Sequence, residues 1–381
     1  MFFDCDGVPL LLPLIYSLHL DTFGSVIVVQ DIKVDGKRGS LWKPEPVSRD
    51  TAQSYQNHLF RFLRYVENNH LSGEQGFPCV HNAHEIQASK VREYVNRVLP
   101  GELASSSLHA HAAALKAYFT FIDRVGIRES FAIEVERRAR QAAASNEDSQ
   151  HYLQYVARDH RTILLQKCSS LRDVLILRMG FEVGLRAREN CGLFLEGSKR
   201  SRKDSLLRVF SELDDSNFSG VNQFEYLLRA KTKGGKSRLI YFSRSLVTAM
   251  RAYYLGERQT VAKNSNVYPE PDEFFLNNDS RFAGHPISDR LASDRFSTYK
   301  KLVPHLDPLL GYHDLRHTFA TELYHQSLLD RHGNETRSQS AALLIVAQRL
   351  GHALGRDGRP GEVTTRYIRL KDAMLAIEDI D

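Results

Sequence analysis

The stretch Gly311-Tyr312-His313-Asp314-Leu315-Arg316-His317-Thr318-Phe319-Ala320-Thr321 decides how this chain is read. It sets an imidazole and a guanidinium three residues apart, which puts His313 and Arg316 on one face of a helix. Leu350-Gly351-His352 follows, then Thr364-Thr365-Arg366-Tyr367, whose tyrosine is the last in the sequence. Well upstream stands Gly184-Leu185-Arg186. Two arginines, two histidines and a tyrosine are the groups needed to hold a phosphodiester, neutralise the charge that develops on it, and attack it.

Composition sets the frame for these strings. A chain of 381 residues holds about two domains, at roughly 100–200 residues each. Its 42% hydrophobic and 25% charged residues are those of an ordinary soluble globular protein. A net charge of +5 and a pI near 8.9 are compatible with a nucleic-acid partner, and placement of the charge matters more than the total. Basic residues cluster at Lys199, Arg200, Arg202 and Lys203, and again at Lys231, Lys233, Lys236 and Arg238; solvated surface charge is the competing explanation. Cys5, Cys79, Cys168 and Cys191 form no CxxC pair and read as reduced, packed thiols of a reducing cytoplasm. The apolar run Val8 to Leu20 lacks a basic flank and is too short to span a bilayer, so a soluble intracellular protein is expected.

Periodicity divides the chain into three parts. Residues 1–47 read as a separate arm, with Val26 to Val29 as a strand, a turn at Asp35-Gly36-Lys37, and Trp42-Lys43-Pro44-Glu45-Pro46 as a stiff connector. Residues 48–145 read as a helical domain. Tyr55, Leu59, Phe62, Leu63 and Val66 form one stripe after Ser48, a second helix runs from about Ile86 to Val98, and a third begins after the serines at 105–107. A fourth carries Arg137, Arg138 and Arg140, and Ala142 to Ser149 reads as a linker. Residues 146–381 mix types. Leu171 to Gly184 and Ala187 to Leu195 read as helices, and two β runs around Gly234-Gly235 read as a hairpin. The fold class expected is mainly α with a small antiparallel sheet.

The order and wording of the chemical strings resemble the tyrosine recombinases, the phage-integrase family of site-specific DNA recombinases. The resemblance spans about residues 48 to 381. It implies a helical, SAM-like core-binding domain and a catalytic domain that together clamp duplex DNA. It also implies roles. Arg186 and Arg316 grip the phosphate, Glu189 buttresses them, and His352 donates a hydrogen bond to the scissile phosphate. Lys233, first in Lys233-Gly234-Gly235-Lys236-Ser237-Arg238, matches the hairpin lysine that protonates the departing 5′ oxygen, since an alkoxide leaves poorly. Tyr367 matches the nucleophile, and its phenol, with a pKa near 10, needs a base, for which His313 is the expected proton acceptor. The resemblance further implies a homotetramer on paired sites in double-stranded DNA, a covalent 3′-phosphotyrosine, and no need for metal or nucleotide. Two stretches are longer than the family's usual connections, Asp330 to Ser340 and Gly355 to Gly361.

Each assignment has a competitor. Arg186 and Glu189 suit a buried structural pair, Lys231 and Lys236 rival Lys233, and His352 suits a helix cap. The i, i+4 pair His313 and His317 suits zinc, but position 314 is aspartate and the HExxH glutamate is missing. For the whole chain, the alternatives are a type IB topoisomerase and a DNA-binding relative that has lost catalysis. Leu370, Met374, Leu375 and Ile377 form a C-terminal apolar stripe, suited to docking on a neighbour or on the chain's own body.

Overall fold

A computed structural model describes residues 2–34, 37–148, 154–198, 202–330, 332–355 and 357–378. It divides into two compact units, residues 1–151 and 152–381. The first contains α1 (Leu11–Phe23), the strands β1 (Ser25–Val34) and β2 (Lys37–Pro46), α2 (Arg49–Leu71), α3 (Ala88–Glu93), α4 (Ser105–Arg124) and α5 (Arg137–Asp148). The second contains α6 (Arg158–Lys167), α7 (Leu171–Arg178), α8 (Leu206–Asp214), β3 (Gln223–Leu228), β4 (Arg238–Ser243), α9 (Arg244–Tyr253) and α10 (Gln259–Asn264). It continues with α11 (Leu291–Lys300), α12 (Tyr312–Leu328), α13 (Gln339–Leu350) and α14 (Glu362–Glu378).

In the first unit, Ser48 caps α2 by accepting from the Thr51 amide at 3.1 Å, and the expected stripe turns Leu59, Phe62, Leu63 and Val66 into the core. The same core takes Phe2, Leu10, Tyr16, Leu20 and Val26, so residues 2–47 are no separate arm; they complete this unit. Two further expectations are corrected here. Trp42 to Pro46 belong to β2, antiparallel to β1 with Pro44 opposite Ile27 and Pro46 opposite Ser25; a two-stranded ribbon has only edge strands, where proline is tolerated. The stretch read as a linker from Ala142 is helical through Asp148, because alanines favour helix and Ala143 is fully buried.

In the second unit, α7 runs into a wider turn, Met179–Val183, that ends at Gly184 in the left-handed conformation (φ 73°). A side chain at Gly184 would run into the Phe319 ring. The helix expected from Ala187 to Leu195 stops at Gly192. Beyond it the chain is extended: the Phe274 amide donates to Leu193 O at 2.8 Å, and the Leu195 amide to Asp272 O at 2.9 Å. These strand-like bonds to a distant segment override the local helical pattern. Strands β3 and β4 pair antiparallel, with Tyr226 opposite Ile240 and Leu228 opposite Arg238, and Lys233–Gly235 form a single tight turn at the tip. Helix α12 passes through the middle of the unit. Its faces pack against the turn after α7, against α13 and against α14, which explains why so many of its residues are buried. At the two longer connections, Leu329 bridges Glu335 and Leu354 bridges Pro360. In α14, Tyr367, Ile368 and Leu370 pack on α12 and α13 of the same chain, and Met374 is buried. Among the described residues, no helix is long and apolar enough to cross a membrane.

Candidate active site

Every residue expected to act on a phosphodiester borders one cavity of about 520 Å³: Arg186, Lys233, His313, Arg316, His352 and Tyr367, joined by Lys236, His317 and Thr364. The elements that carry them are far apart in sequence, and local geometry explains how each is held.

Arg186 follows the left-handed Gly184 and is itself extended (φ −72°, ψ 158°), so the chain reverses here and presents its side chain to the cavity. The turn is fixed by Glu189. One carboxylate oxygen accepts from the Arg186 amide at 2.8 Å and the other from its guanidinium at 2.8 Å. Glu189 also accepts from Arg238 at 2.6 Å and lies 3.5 Å from Arg316. Burial alone would raise this carboxyl, but Arg238, Arg316 and the Arg186 amide outweigh it and hold it below the ordinary carboxylate range. A fully buried carboxylate is therefore the hub of three guanidinium groups.

Arg316 is almost completely buried on α12. It donates to the carbonyls of Gly184 and, at 2.6 Å, Leu350, which tie it to the turn before Arg186 and to the end of α13. Burial and the neighbouring cations Arg238 and Arg186 bring its pKa down to about 9, so it stays cationic at neutral pH. The carbonyl of Leu350 is available because α13 ends at Gly351 (φ 65°), the left-handed cap expected at that place.

His352 follows that cap, its Nδ1 2.9 Å from the Thr364 hydroxyl. Burial, with Arg316 and Arg186, lowers its pKa to about 4. His313 reaches solvent, yet the protein around it and the charges of Arg316, Arg186 and Arg366 lower it to about 4 as well. Lys233 and Lys236 stand exposed at the hairpin tip, on the open side of the cavity.

Tyr367 is almost fully buried on α14. Burial raises its pKa, and Arg316, Arg366 and Arg186 pull in the opposite direction. Its hydroxyl lies 3.2 Å from Nδ1 of His317, not at His313, the acceptor expected from sequence. His313 instead packs edge-on against His317, with ring centroids 4.6 Å apart. Residue 317 was read only as half of a weak zinc pair. Its position one residue after Arg316, turned toward the α14 side of α12, was the missed signal. Among the described residues, no group of three or more His, Cys, Asp and Glu side chains is arranged around a metal.

The surface residues expected to touch DNA fare unevenly. Arg238 is buried: β4 turns Arg238, Ile240 and Phe242 inward together, and its guanidinium serves Glu189 and the Arg349 carbonyl. An arginine in phase with apolar strand positions was the available signal. Lys231 pairs with Asp289 at 2.8 Å. Arg202 and Lys203 are exposed and border no part of the cavity, while Lys199 and Arg200 lie outside the described residues. Tyr312 is buried among core residues, bonded to Asn190 and to the Ile176 carbonyl, and Tyr324 lies in the core between α12 and α13, so neither competes with Tyr367.

A fold of two units, the second built around a cationic cavity with a buried tyrosine, is that of a phosphodiester-handling enzyme. The model of the phage integrase family matches residues 149–332, which include Arg186, Lys233, His313 and Arg316. The chain is 22% identical over 312 residues to a tyrosine recombinase XerC of Thermodesulfovibrio yellowstonii, covering 80% of this chain and 83% of the relative. It is 22% identical over 318 residues to a XerC of Listeria innocua, covering 80% and 84%. Among solved structures, it is similar to the XerH site-specific recombinase bound to palindromic difH substrate in a post-cleavage complex. That likeness has a TM-score of 0.52 at 18% identity, covering 86% of this chain and 80% of the other. It is also similar to the Tn1549 transposon integrase in complex with transposon right end DNA, with a TM-score of 0.50 at 14% identity and coverage of 97% and 99%. Over residues 149–332 the chain matches the phage integrase family, and together these likenesses support a tyrosine recombinase, a DNA breaking and rejoining enzyme.

Proposed function

We propose that this enzyme cuts and rejoins double-stranded DNA at a specific recombination site, with Tyr367 as its nucleophile. The phosphate enters the cavity between Arg186 and Arg316, whose guanidinium groups match its non-bridging oxygens and neutralise the charge that grows during attack. His352 and His313, neutral at physiological pH, donate hydrogen bonds to the same oxygens. The Tyr367 oxygen forms its bond to phosphorus while the bond to the 5′ oxygen breaks, and Lys233 supplies the proton that oxygen needs. The product is a 3′-phosphotyrosine and a free 5′ hydroxyl. The corresponding hydroxyl of a partner strand then attacks the phosphotyrosine and restores the tyrosine. Because bond energy is kept in the covalent intermediate, neither metal nor nucleotide enters the scheme.

The observation that carries this reading is the convergence on one cavity of six side chains drawn from five separate stretches of sequence. Exchange between strands requires two cleaved sites side by side, which supports a homotetramer on paired sites, acting in the cytoplasm where the DNA lies. Binding rests largely on phosphate contacts and falls steeply with salt. A nicked suicide duplex tests the chemistry: the wild-type chain accumulates a covalent adduct and Tyr367→Phe forms none. An adduct that persists in the variant would place the nucleophile elsewhere. Plasmid relaxation and two-site recombination assays on one preparation separate a recombinase from a topoisomerase.

A further inference from the structure

We infer that His317 takes the proton of Tyr367 as that hydroxyl attacks phosphorus, a role that rests on the reading of Tyr367 as nucleophile. The two side chains touch, Nδ1 to hydroxyl at 3.2 Å, and both are buried, so the contact is made without solvent. His317 is held on α12, where Thr321 donates to its carbonyl at 2.9 Å and His313 packs edge-on against its ring.

The groups that face His317 are of one kind. His313 and Arg316 come from its own helix, Arg366 from α14 and His352 from the end of α13. Together with burial they hold the imidazole neutral, at a pKa of about 3. A neutral ring with its proton on Nε2 turns the Nδ1 lone pair to the phenol. When a phosphate docks between Arg186 and Arg316, its negative charge offsets the cations and raises the basicity of the ring. The base is thereby strengthened by the substrate itself. In the step, the Tyr367 O–H bond breaks with its proton going to Nδ1, the O–P bond forms, and the 5′ oxygen leaves with a proton from Lys233. The imidazolium returns its proton to the tyrosine when the 5′ hydroxyl of the partner strand reverses the reaction.

Single-turnover cleavage of a nicked suicide duplex, from pH 6 to pH 10, tests this with the wild type, His317→Ala and His317→Gln, with DNA binding measured by gel shift at each pH. His317→Ala is expected to bind DNA normally and to cleave about 10²-fold more slowly at pH 7. The deficit is expected to shrink as the pH approaches 10, where solvent removes the phenol proton unaided. His317→Gln, which can accept a hydrogen bond but not a proton, is expected to behave like the alanine variant. It also decides the matter if the alanine variant fails to bind. A deficit of constant size at all pH values assigns His317 a merely structural role and overturns the inference, as does full activity in His317→Gln at pH 7. Adduct formation by Tyr367→Phe is a separate result, which removes the nucleophile reading instead.

Discussion

On one wall of the cavity, Arg186, Arg238 and Arg316 converge on the fully buried Glu189, and two of them also bind the carbonyl of Gly184. On the other, Lys233 and Lys236 stand exposed at a hairpin tip whose two glycines are left-handed and face open space. The first wall is overdetermined, since Arg238 and Arg316 each have several fixed partners before any DNA arrives and Arg186 is held by Glu189 through both its amide and its guanidinium. The second is built from a turn with few side-chain contacts. The difference suits the proposed tasks. Charge stabilisation works best when donors are oriented in advance and need no reorganisation during attack. The proton donor proposed at Lys233 has to reach a leaving oxygen whose place depends on how the DNA is seated, a demand that a loop can meet.

Removing the hub should have the largest effect. Glu189→Ala leaves buried guanidinium groups without their carboxylate and is expected to cost roughly 3–5 kcal/mol of folding stability, measured by urea unfolding. Because its folded pKa lies below the unfolded value near 4.5, Glu189 contributes stability above that pH, and the contribution fades as pH falls through the folded value. The gap between wild type and Glu189→Gln should therefore be full at pH 7 and narrow below about 4.5. A gap independent of pH would show that the carboxylate's charge is not what holds this wall together.

Next come two substitutions that separate the walls by function. Arg186→Ala should bind DNA and cleave about 10²–10³-fold more slowly. Lys233→Ala should leave stability within about 0.5 kcal/mol of wild type, as expected of an exposed side chain, and slow cleavage about 10²-fold. A substrate with sulfur in place of the bridging 5′ oxygen needs no proton to leave, so it should restore cleavage by Lys233→Ala and not by Arg186→Ala. Rescue of both, or of neither, would erase the assigned division of labour.

The same contrast explains what was legible in the sequence. The site was readable because its residues sit at punctuation: Arg186 after a left-handed glycine, His352 after another, and His313 and Arg316 one helical turn apart. Such signals are local, and local strings carry them. The helix stripe of α2 was readable for the same reason. Features set by distant partners were not. Leu193 to Leu195 are extended because residues 272–274 bond to them, and Trp42 to Pro46 are a strand because β1 lies alongside. Arg238 looked like a surface cation within a basic cluster, yet its place depends on Glu189, far upstream, and on the end of α13. The hydrogen-bond partner of Tyr367 is a long-range contact too, between α12 and α14.

Two glycines give the finest test, because both are left-handed and differ mainly in what surrounds them. At Gly351 (φ 65°) an added Cβ would lie 2.7 Å from Cδ of Arg238, a side chain that cannot yield without leaving Glu189. At Gly234 (φ 70°) it would meet nothing within 4 Å. Gly234→Ala should cost only the left-handed penalty, about 1 kcal/mol, with the cleavage rate close to wild type. Gly351→Ala adds the collision and should cost about 3 kcal/mol, with slower cleavage because Arg238 and then Glu189 are displaced. Equal costs at the two positions would mean that the guanidinium wall has more slack than its bonding pattern allows, and that its rigidity is not what sets it apart from the hairpin.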